Sequence, residues 1–589
     1  MTLVAGIFSR SARLEIPDET CNTLSRVISR DLNDSPSVFR DKRLFVVKAD
    51  IGAFGEPAWV TGPDGSVTAV TGEPLLESVS GAHNRALETA LLHQSHSESR
   101  WNALASARGV FTAMSYYPSP ARIAIATDRL GLRPMFVWLG DEHIAFASQL
   151  RILESVDIVP KEMDVRGVAE LSAIGFPLAD RTPYTNIFLL KAGEVLFATD
   201  DRISRSRYWR WDQIEPSQAD VASLAVLANE RFKSAVALRL RGDRTTASYL
   251  SGGLDSRAVV TALRKAGANL HTFNFSLSGT LDEVIGGEFA RRIGTTHHQG
   301  ITVSEEPEWS AMMSAKWSEV WRSLDSKPER PGLVWSGDGG SVSLGYVYMT
   351  QELVALLRSG NPEAAIALFL RRQGSNVPYR FLRAPVAQQL RRVLQRGIEE
   401  ELADIESEDR GRAFHLFLMM NDQRRHLATH FSTIDLHRLE FQLPFFDSAF
   451  LETVLSVPID LSLGHGFYMR WLEHFGEDVT SVPWQAYSGH VPCPLPMPAT
   501  GAYQWGSRHR DRIRAARKRQ WLGRARTVLA AEDFPHALMN RRYLRIASLM
   551  YALGLRDYRG VMRTAHHFHN YWSASAGRYR LPDAARISV

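Results

Sequence analysis

Cysteine is scarce in this chain, since only Cys21 and Cys493 occur among its 589 residues. Two isolated cysteines provide neither a disulfide framework nor the paired spacing of a zinc site, which favours a reducing compartment. No apolar run approaches the length of about 18 residues that a membrane span needs. Residues 1–7 lack the basic flank and the apolar length of a secretory signal. We therefore expect a cytoplasmic protein with no membrane partner.

A large excess of charge is also missing, because 69 basic and 64 acidic residues leave a formal net charge of only +5. We expect no nucleic-acid partner from this modest balance. The basic residues concentrate late, at 508–512, 517–519 and 524–526. A solvated helix face and a docking surface for an acidic partner are the two interpretations of that cluster.

The pattern of apolar residues changes near residues 205–220, which indicates a domain boundary. Before it the chain is rich in short strand candidates, listed here as 44–47, 123–126, 135–138 and 144–147. Ser217-Gln218-Ala219-Asp220 resembles a capping box that opens a helix. Strands then alternate with helices, which predicts parallel βαβ units at 246–250, 257–266, 271–275 and 282–293. Beyond about residue 350 the sequence is mostly helical in pattern.

Residues 249–256 read Tyr-Leu-Ser-Gly-Gly-Leu-Asp-Ser and join a predicted strand to a predicted helix. Two glycines let the backbone approach an anion closely, and the helix N-terminus directs free N–H groups at it. Asp255 is a carboxylate that can hold Mg²⁺ beside phosphates. No Gly-Lys-Ser/Thr follows, so this is not a Walker A loop. An ordinary strand–turn–helix connection is the alternative interpretation.

The loop resembles the pyrophosphate loop (PP-loop) of ATP pyrophosphatases, which cut ATP between the α and β phosphates and transfer AMP to an acid. Six further segments, in the same order, are similar to class B asparagine synthetases. They are 5–8, 127–136, 192–195 with 207–209, 282–298, 335–341 and 440–447. This resemblance covers roughly residues 5–500. It implies an α/β protein with an N-terminal Ntn-hydrolase-like αββα sandwich and a C-terminal PP-loop (adenine nucleotide α-hydrolase-like) parallel sheet followed by a helical region.

The resemblance also implies two domains, a glutamine amidotransferase-like domain at 1–210 and a PP-loop synthetase domain with a helical C-terminal extension at 211–589. Ala5 stands where glutamine-dependent members have the cysteine nucleophile. Thr71 stands where an asparagine would bind glutamine. Without a nucleophile no thioester and no ammonia can form. We therefore expect the first domain to be inactive.

The same resemblance assigns site residues in the second domain. The nucleotide-binding residues are expected to be Leu250, Ser251, Gly252, Gly253, Asp255, Ser256, Phe275, Ser336 and Gly337. Asp255 is the expected Mg²⁺ ligand, and ATP and Mg²⁺ are the expected cofactors. Leu250 and Phe275 either form the wall for adenine or belong to the core.

Two catalytic positions differ from the family pattern. Asp338 aligns with the residue that handles the amine proton, and a carboxylate there can act as a general base. A turn-forming aspartate is the alternative. Ser341 replaces the second Mg²⁺-binding aspartate, and Tyr487 stands where the late catalytic lysine is expected. These two replacements leave open a catalytically impaired paralogue.

The loss of the nucleophile is similar to the branches that use an amine already on the substrate, namely β-lactam synthetases, carbapenam synthetases and lasso peptide cyclases. The length of the chain and the run 483–490 most resemble the lasso cyclases. The implied function is an ATP-dependent, AMP-forming amide ligase that closes a peptide macrolactam. The implied partners are a precursor core peptide and a leader peptidase or leader-binding protein of the same pathway. A β-lactam-synthetase-like or asparagine-synthetase-like ligase on a small molecule is the alternative enzyme.

Overall fold

The structure is a computed structural model that describes residues 2–76, 84–302, 308–486, 490–499 and 514–582. Its first domain contains two six-stranded antiparallel sheets. One sheet has the order β11-β8-β9-β1-β3-β2 and the other the order β13-β12-β7-β6-β5-β4. Their strands are β1 (Thr2–Ser9), β2 (Ser37–Arg40), β3 (Leu44–Asp50), β4 (Trp59–Thr61), β5 (Val67–Gly72), β6 (Phe111–Pro118), β7 (Ala121–Thr127), β8 (Phe136–Leu139), β9 (His143–Ala147), β11 (Ile187–Leu189), β12 (Glu194–Ala198) and β13 (Ile203–Arg207).

The two sheets pack face to face, because successive side chains of each strand point to opposite faces and the inner set is apolar. Val4 and Val46 of one sheet share a core with Met114 and Ile125 of the other. Helices cover the outer faces. They are α1 (Asp18–Val27), α4 (Leu150–Glu154) and α5 (Val165–Ile174) on the first sheet, and α2 (Arg85–Ser97) and α3 (Asn102–Ala105) on the second. The predicted αββα sandwich is thereby confirmed.

The second domain is built around a five-stranded parallel sheet of order β16-β15-β14-β17-β18. The strands are β14 (Thr245–Tyr249), β15 (Asn269–Ser276), β16 (Thr296–Ile301), β17 (Leu333–Trp335) and β18 (Glu440–Gln442). The helices between them are α6 (Val221–Leu240), α7 (Leu254–Lys265), α8 (Leu281–Ile293) and α9 (Trp309–Ser323), followed by α10 (Gly340–Ser343). The predicted parallel βαβ units are confirmed.

The rest of the second domain is helical. Its helices are α11 (Gln351–Arg358), α12 (Pro362–Arg372), α13 (Ala384–Gln389), α14 (Val393–Ala403), α15 (Arg410–Phe417), α16 (Arg424–Phe431), α17 (Ile434–His437), α18 (Ser448–Ser456), α19 (Ile459–Ser462), α20 (Gly466–Glu473) and α21 (Glu477–Thr480). A π-helical segment, Leu418–Gln423, joins α15 to α16.

The last helices, α22 (Arg514–Ala530), α23 (Arg541–Ala552) and α24 (Arg559–Ala574), form a C-terminal subdomain. This subdomain packs on the first domain through α5 and through the pairing of β10 (Met163–Asp164) with β19 (Tyr579–Arg580). In the part of the chain that the structure describes, no helix combines the length and the hydropathy needed to cross a membrane.

Two local predictions need correction. The helix after the Ser-Gly-Gly turn begins at Leu254, not at residue 257, so Asp255 and Ser256 lie in its first turn. The cap of α6 is Asp220, whose carboxylate accepts hydrogen bonds from the N–H groups of Ala222 and Ser223 at 3.0 and 2.9 Å. Ser217 accepts only a local turn hydrogen bond. A carboxylate at Asp220 is as good an N-cap as a serine and lies directly before the apolar stripe.

Buried ion pairs join the two domains. Asp447, at the start of α18, accepts hydrogen bonds from Arg108 of the first domain at 2.9 Å and from Arg239 of α6 at 2.7 Å, and its side chain is fully buried. Arg133 of the first domain pairs with the fully buried Glu440 of β18 at 2.5 Å. Charges buried this deeply are tolerated only when they are paired. The interface therefore holds the domains in one fixed arrangement.

Candidate nucleotide and amide-forming site

The site begins at the turn between β14 and α7. Ser251 donates its backbone N–H to the Ser256 hydroxyl at 3.0 Å, and Gly252 donates its N–H to Asp282 at 2.8 Å. Asp282 lies in the first turn of α8, on the neighbouring βα unit. The turn is thus held by Ser256 from its own helix and by Asp282 from the neighbouring unit, and the N-terminus of α7 lies at the sheet edge where an anion can bind.

A second loop, residues 336–341, presses against the first. A Cβ atom on Gly337 would lie 2.6 Å from the Ser256 backbone nitrogen, and one on Gly340 would lie 2.5 Å from the Asp255 carboxylate. No side chain fits at either position. The two glycines therefore bring Asp338 and Ser341 beside the α7 N-terminus, and the backbone N–H of Ser341 contributes a hydrogen bond to Asp255.

Asp255 is a half-buried acid at the N-terminus of α7. Burial raises the pKa of Asp255 to about 7, a hydrogen bond from the Tyr468 hydroxyl opposes that rise, and the nearby Asp338 charge adds to it. Tyr468 lies on α20 and is 1% exposed. A carboxylate held here without a cation is electrostatically costly, which is typical of a position that expects a positive ligand.

A cavity of about 570 Å³ opens between the two loops at the carboxyl ends of β14, β15 and β17. Ligands of open α/β sheets bind at this edge. Its lining residues are Tyr249, Leu250, Ser251, Asp255, Ser256, Phe273, Asn274, Phe275, Asp282, Trp309, Ser336, Gly337, Asp338, Gly339, Ser341, Val342, Tyr348, Gln423, His426, Leu427, His430 and Phe441. The volume lies within the range of small-molecule pockets, about 300–1,000 Å³.

The wall opposite the α7 N-terminus is one helix face. Gln423, His426, Leu427 and His430 follow the i, i+3, i+4, i+7 spacing of a single face at the start of α16. The Nε2 atom of His430 lies 4.0 Å from the Asp338 carboxylate, and the Ser336 hydroxyl donates to the same carboxylate at 2.7 Å. Two proton-accepting groups therefore stand side by side in the cavity.

The same helix is anchored to the first domain. Arg424 donates its Nε–H to the Gly131 carbonyl at 2.9 Å, and Arg425 donates to the Arg181 carbonyl at 3.1 Å. The π-helical segment immediately before α16 adds one residue to a turn, which shifts the register of the side chains around the axis. Arginines that reach the first domain and histidines that reach the cavity thus come from adjacent positions.

Most of the residues singled out in the sequence meet in this cavity. Leu250, Ser251, Asp255, Ser256, Phe275, Ser336, Gly337 and Asp338 line it, and Gly252 and Gly253 form the turn between them. Leu250 and Phe275 also belong to the apolar core, so the two interpretations of these residues are compatible. Tyr487 lies outside the described residues.

Comparisons with known proteins match both domains. The family described as glutamine amidotransferase domain matches residues 80–209, and the family described as asparagine synthase matches residues 227–318. Both matches are similar to the two domains of class B asparagine synthetases. The putative asparagine synthetase 2 (glutamine-hydrolyzing) of Methanocaldococcus jannaschii is 35% identical over 168 residues, covering 27% of this chain and 32% of that protein.

Asparagine synthetase 3 (glutamine-hydrolyzing) of Bacillus subtilis is 26% identical over 205 residues, covering 32% of each chain. The chain therefore spans about a third of the length of these two curated relatives. Glutamine phosphoribosylpyrophosphate amidotransferase of B. subtilis, a solved structure, gives a TM-score of 0.25 at 12% identity, covering 64% of this chain and 80% of that one.

The amidotransferase-like first domain has Ala5 where the family resemblance implies the nucleophile. Ala5 lies in the middle of β1, paired with Val47 and Ala147 on either side. The preceding residues Leu3 and Val4 are buried and continue the strand, so the backbone nitrogen of Ala5 is an amide and not a free amine. Thr71 is buried in a hydrogen bond of 2.7 Å with Thr112.

The residues present fit a nucleotide with Mg²⁺ in the synthetase domain. Mg²⁺ is commonly held by one or two carboxylates together with substrate phosphates. Asp255 supplies a half-buried carboxylate at the α7 N-terminus, and Asp338 shares the cavity. Among the described residues no group of three or more His, Cys, Asp or Glu side chains has the arrangement of a metal site. Any cation here would depend on the phosphates for most of its ligands.

Several contributors to the site were missed in the sequence. Among them, Tyr468, Gln423, His426 and His430 are separated from the Ser-Gly-Gly turn by more than 150 residues, and no local motif marks Tyr468. The spacing of the other three indicates one helix face, which a search for periodic polar residues in the helical region would have found. This spacing predicts that the three residues share one helix face, but it does not predict that the face borders the cavity.

Proposed function

We propose that this protein is an ATP-dependent, AMP-forming carbon–nitrogen ligase that closes an intramolecular amide in a peptide, as lasso peptide cyclases do. The main support for this proposal is the cavity, in which the α7 N-terminus and Asp255 face the Asp338–His430 pair. One side of this cavity suits the phosphates of a nucleotide, and the other side suits an amine.

On the nucleotide side, the turn residues Ser251 to Ser256 and the loop residues Ser336 and Gly337 would hold the phosphates. Mg²⁺ bound by Asp255 and the phosphates would neutralise the charge that accumulates when pyrophosphate leaves. The substrate carboxylate attacks the α phosphorus, and the α–β bridging oxygen departs with pyrophosphate. The acid is then an acyl adenylate, in which AMP is the leaving group.

On the acceptor side, the lining argues against a small zwitterionic amino acid. Its acidic side chains are Asp255, Asp282 and Asp338, its basic side chains are the histidines His426 and His430, and none of the described lining residues is Lys or Arg. A free α-carboxylate such as that of aspartate would find no lysine or arginine partner there, which is costly. A peptide presents one carboxylate to be activated and an N-terminal amine, so it suits this lining better.

The amine must lose a proton when it attacks the activated carbonyl carbon. The new C–N bond forms as the bond to the AMP oxygen breaks, and the ammonium proton passes to the Asp338 carboxylate or to the adjacent His430 imidazole. His430 also packs against the Phe441 ring at 5.0 Å, which fixes its position beside Asp338. A positioned base of this kind accelerates the step by about 10²–10⁴-fold.

The test is incubation with ATP, Mg²⁺ and a leader-free core peptide that carries an Asp or Glu several residues from its N-terminus. The expected products are AMP, pyrophosphate and a peptide lighter by one water, measured by chromatography and mass spectrometry. ADP as the spent nucleotide would contradict the whole proposal. Closure of a free β-amino acid with no reaction on peptides would favour the β-lactam branch.

The base assignment has a separate test. His430→Gln and Asp338→Asn should retain substrate-dependent pyrophosphate exchange while losing amide formation by about 10²-fold or more. His474→Gln, an exposed histidine at the end of α20, is the matched control. Equal loss of both partial reactions in His430→Gln would argue that His430 only maintains the fold of the wall.

A nucleotide-binding protein without turnover is the second candidate, and Ser341 is the observation that favours it. Ser341 lines the cavity where the family resemblance implies a second Mg²⁺-binding aspartate. A hydroxyl is a weaker ligand for a hard cation than a carboxylate. Tight binding of ATP without AMP release in the presence of active core peptides, and gain of turnover in Ser341→Asp, would support this candidate.

A further inference from the structure

The C-terminal subdomain, α22 to α24, concentrates the positive charge of the protein. Residues 514–582 contain fourteen Arg or Lys side chains and only three Asp or Glu side chains. Since the whole chain has a net charge of +5, the remainder is net acidic. None of the described cavity-lining residues comes from this subdomain, so its charge does not serve the nucleotide site.

An apolar stripe runs along the exposed side of α23 and the turn after it. Ile546, Leu549 and Leu553 are 61%, 59% and 63% exposed, and their i, i+3, i+7 spacing places them on one face. Leu555 extends the stripe and is 65% exposed. Single exposed aliphatic residues are ordinary, but a contiguous row on one helix face is characteristic of an interaction site.

The opposite face of α23 packs into the core of the subdomain and holds the stripe in place. Leu544 and Ala547, on the opposite face of α23, are 0% and 1% exposed in the core of the subdomain. The helix ends in a glycine turn, in which Gly554 has a φ of 75° and the Leu555 N–H donates to the Met550 carbonyl at 3.0 Å. A preformed apolar face of this kind loses little conformational entropy when a partner binds.

Positive side chains flank the stripe. The exposed Arg542 lies one turn before Ile546 on the same face of α23, the exposed Arg545 directly precedes Ile546 at the edge of that face, and Arg556 is exposed directly after Leu555. An aliphatic row bordered by arginines is complementary to a helix that carries leucines on one face and carboxylates beside them. We propose that this surface binds an acidic amphipathic helix of a partner protein.

The chemistry of the stripe favours a protein over a lipid surface. Interfacial helices anchor themselves with Trp or Phe beside Leu on the apolar face, whereas the four exposed residues here are all aliphatic. A nucleic acid would not require the aliphatic row, because its phosphates are recognised through positive charge. The proposal is independent of the reaction catalysed in the cavity.

The test uses the full chain and a fluorescent helical peptide of about 18 residues, with leucines at i, i+3 and i+7 and glutamates on either side. Saturable binding that weakens as salt is raised to near-physiological ionic strength is expected, because the Debye length then falls to about 8 Å. A peptide of the same composition with the leucines scattered should bind at least about tenfold more weakly. Equal binding of both peptides would overturn the proposal, and so would binding to anionic phosphatidylglycerol vesicles with none to the peptide.

Variants of the surface locate the binding. The double substitutions Leu549→Ser with Leu553→Ser, and Arg542→Glu with Arg545→Glu, should each weaken binding by about tenfold or more. The charge reversal should also remove the salt dependence. The controls are Leu436→Ser, an exposed leucine elsewhere, and Arg231→Glu, an exposed arginine on α6. Unchanged binding in both double variants, with circular dichroism like that of the parent chain, would refute the assignment.

Discussion

The two domains contain one position each where a family member would perform chemistry, and the two positions have opposite physical characters. At Ala5 the strand is continuous, the neighbouring side chains are apolar and the adjacent Thr71 and Thr112 satisfy each other. At Asp255 a half-buried carboxylate has a raised pKa beside another acid. Ala5 thus lies in well-satisfied packing, whereas the position of Asp255 retains a group that costs stability, as functional sites commonly do.

The first prediction tests whether the first domain is an integral part of the fold. Asp447→Ala should lower the free energy of unfolding by about 3–5 kcal/mol, because it leaves Arg108 and Arg239 buried without their shared partner. Chemical denaturation measures the loss. Asp460→Ala, which removes an exposed partner of Arg358, should cost less than about 1 kcal/mol. Similar losses in the two variants would mean that the interface contributes little.

The second prediction concerns the working site. Asp255→Ala should lower pyrophosphate release by about 10²–10³-fold with the fold intact, by analogy with the loss of one preorganised electrostatic contact. Glu473→Ala removes an exposed carboxylate on α20, the helix that carries Tyr468, and serves as the control. Near-normal pyrophosphate release from the Asp255 variant would remove this residue from the mechanism.

The third prediction tests the stability cost of the same carboxylate. The folded pKa of Asp255 is about 7 against an ordinary value of 3.8, so the native state binds more protons than the unfolded state between these values. The contribution of Asp255 to the stability of the ligand-free protein should therefore fall as pH rises from about 4 to 7 and level off above that. Asp255→Asn lacks the penalty and should be more stable than the parent by roughly 2–4 kcal/mol at pH 8, converging with it near pH 4. A variant less stable at pH 8 would show that the half-buried carboxylate carries no strain.

The smallest effect is expected at Ala5. Ala5→Cys should release no glutamate from glutamine above background, because the preceding residues keep the backbone nitrogen in an amide and Thr71 is already hydrogen-bonded. A coupled glutamate assay, with the parent chain as the baseline, measures the result. Measurable glutaminase activity would mean that only the sulfur atom is missing.

Local features of the sequence predicted the parts of the fold that depend on local physics. The Ser-Gly-Gly turn, the strand before it and the helix after it follow from glycine geometry and apolar periodicity, and they were predicted to within a few residues. The helix start at Leu254 was placed late because the charged and polar residues of its first turn were assigned to the loop. Helix termini favour such residues, so their polarity was a poor guide to the boundary.

The cavity wall formed by α16, and Tyr468, were not predicted for a different reason. Their positions depend on how the helical region folds back over the sheet, and contacts across more than 150 residues leave no periodic trace near the loop. Asp255 was predicted from its motif, but its hydrogen bond with Tyr468 and its raised pKa depend on burial created by α20. Motifs identify the groups, and tertiary packing decides their electrostatics.

The anchoring of α16 also gives the first domain a structural role. Arg424 and Arg425 attach this helix to carbonyl groups of the first domain, and the next residues along it, His426 and His430, border the cavity. The first domain thus fixes the position of α16, the helix that forms one wall of the cavity. A chain without the first domain would keep the nucleotide loop. Its α16 would lack the carbonyl groups that fix the orientation of His426 and His430 toward the cavity.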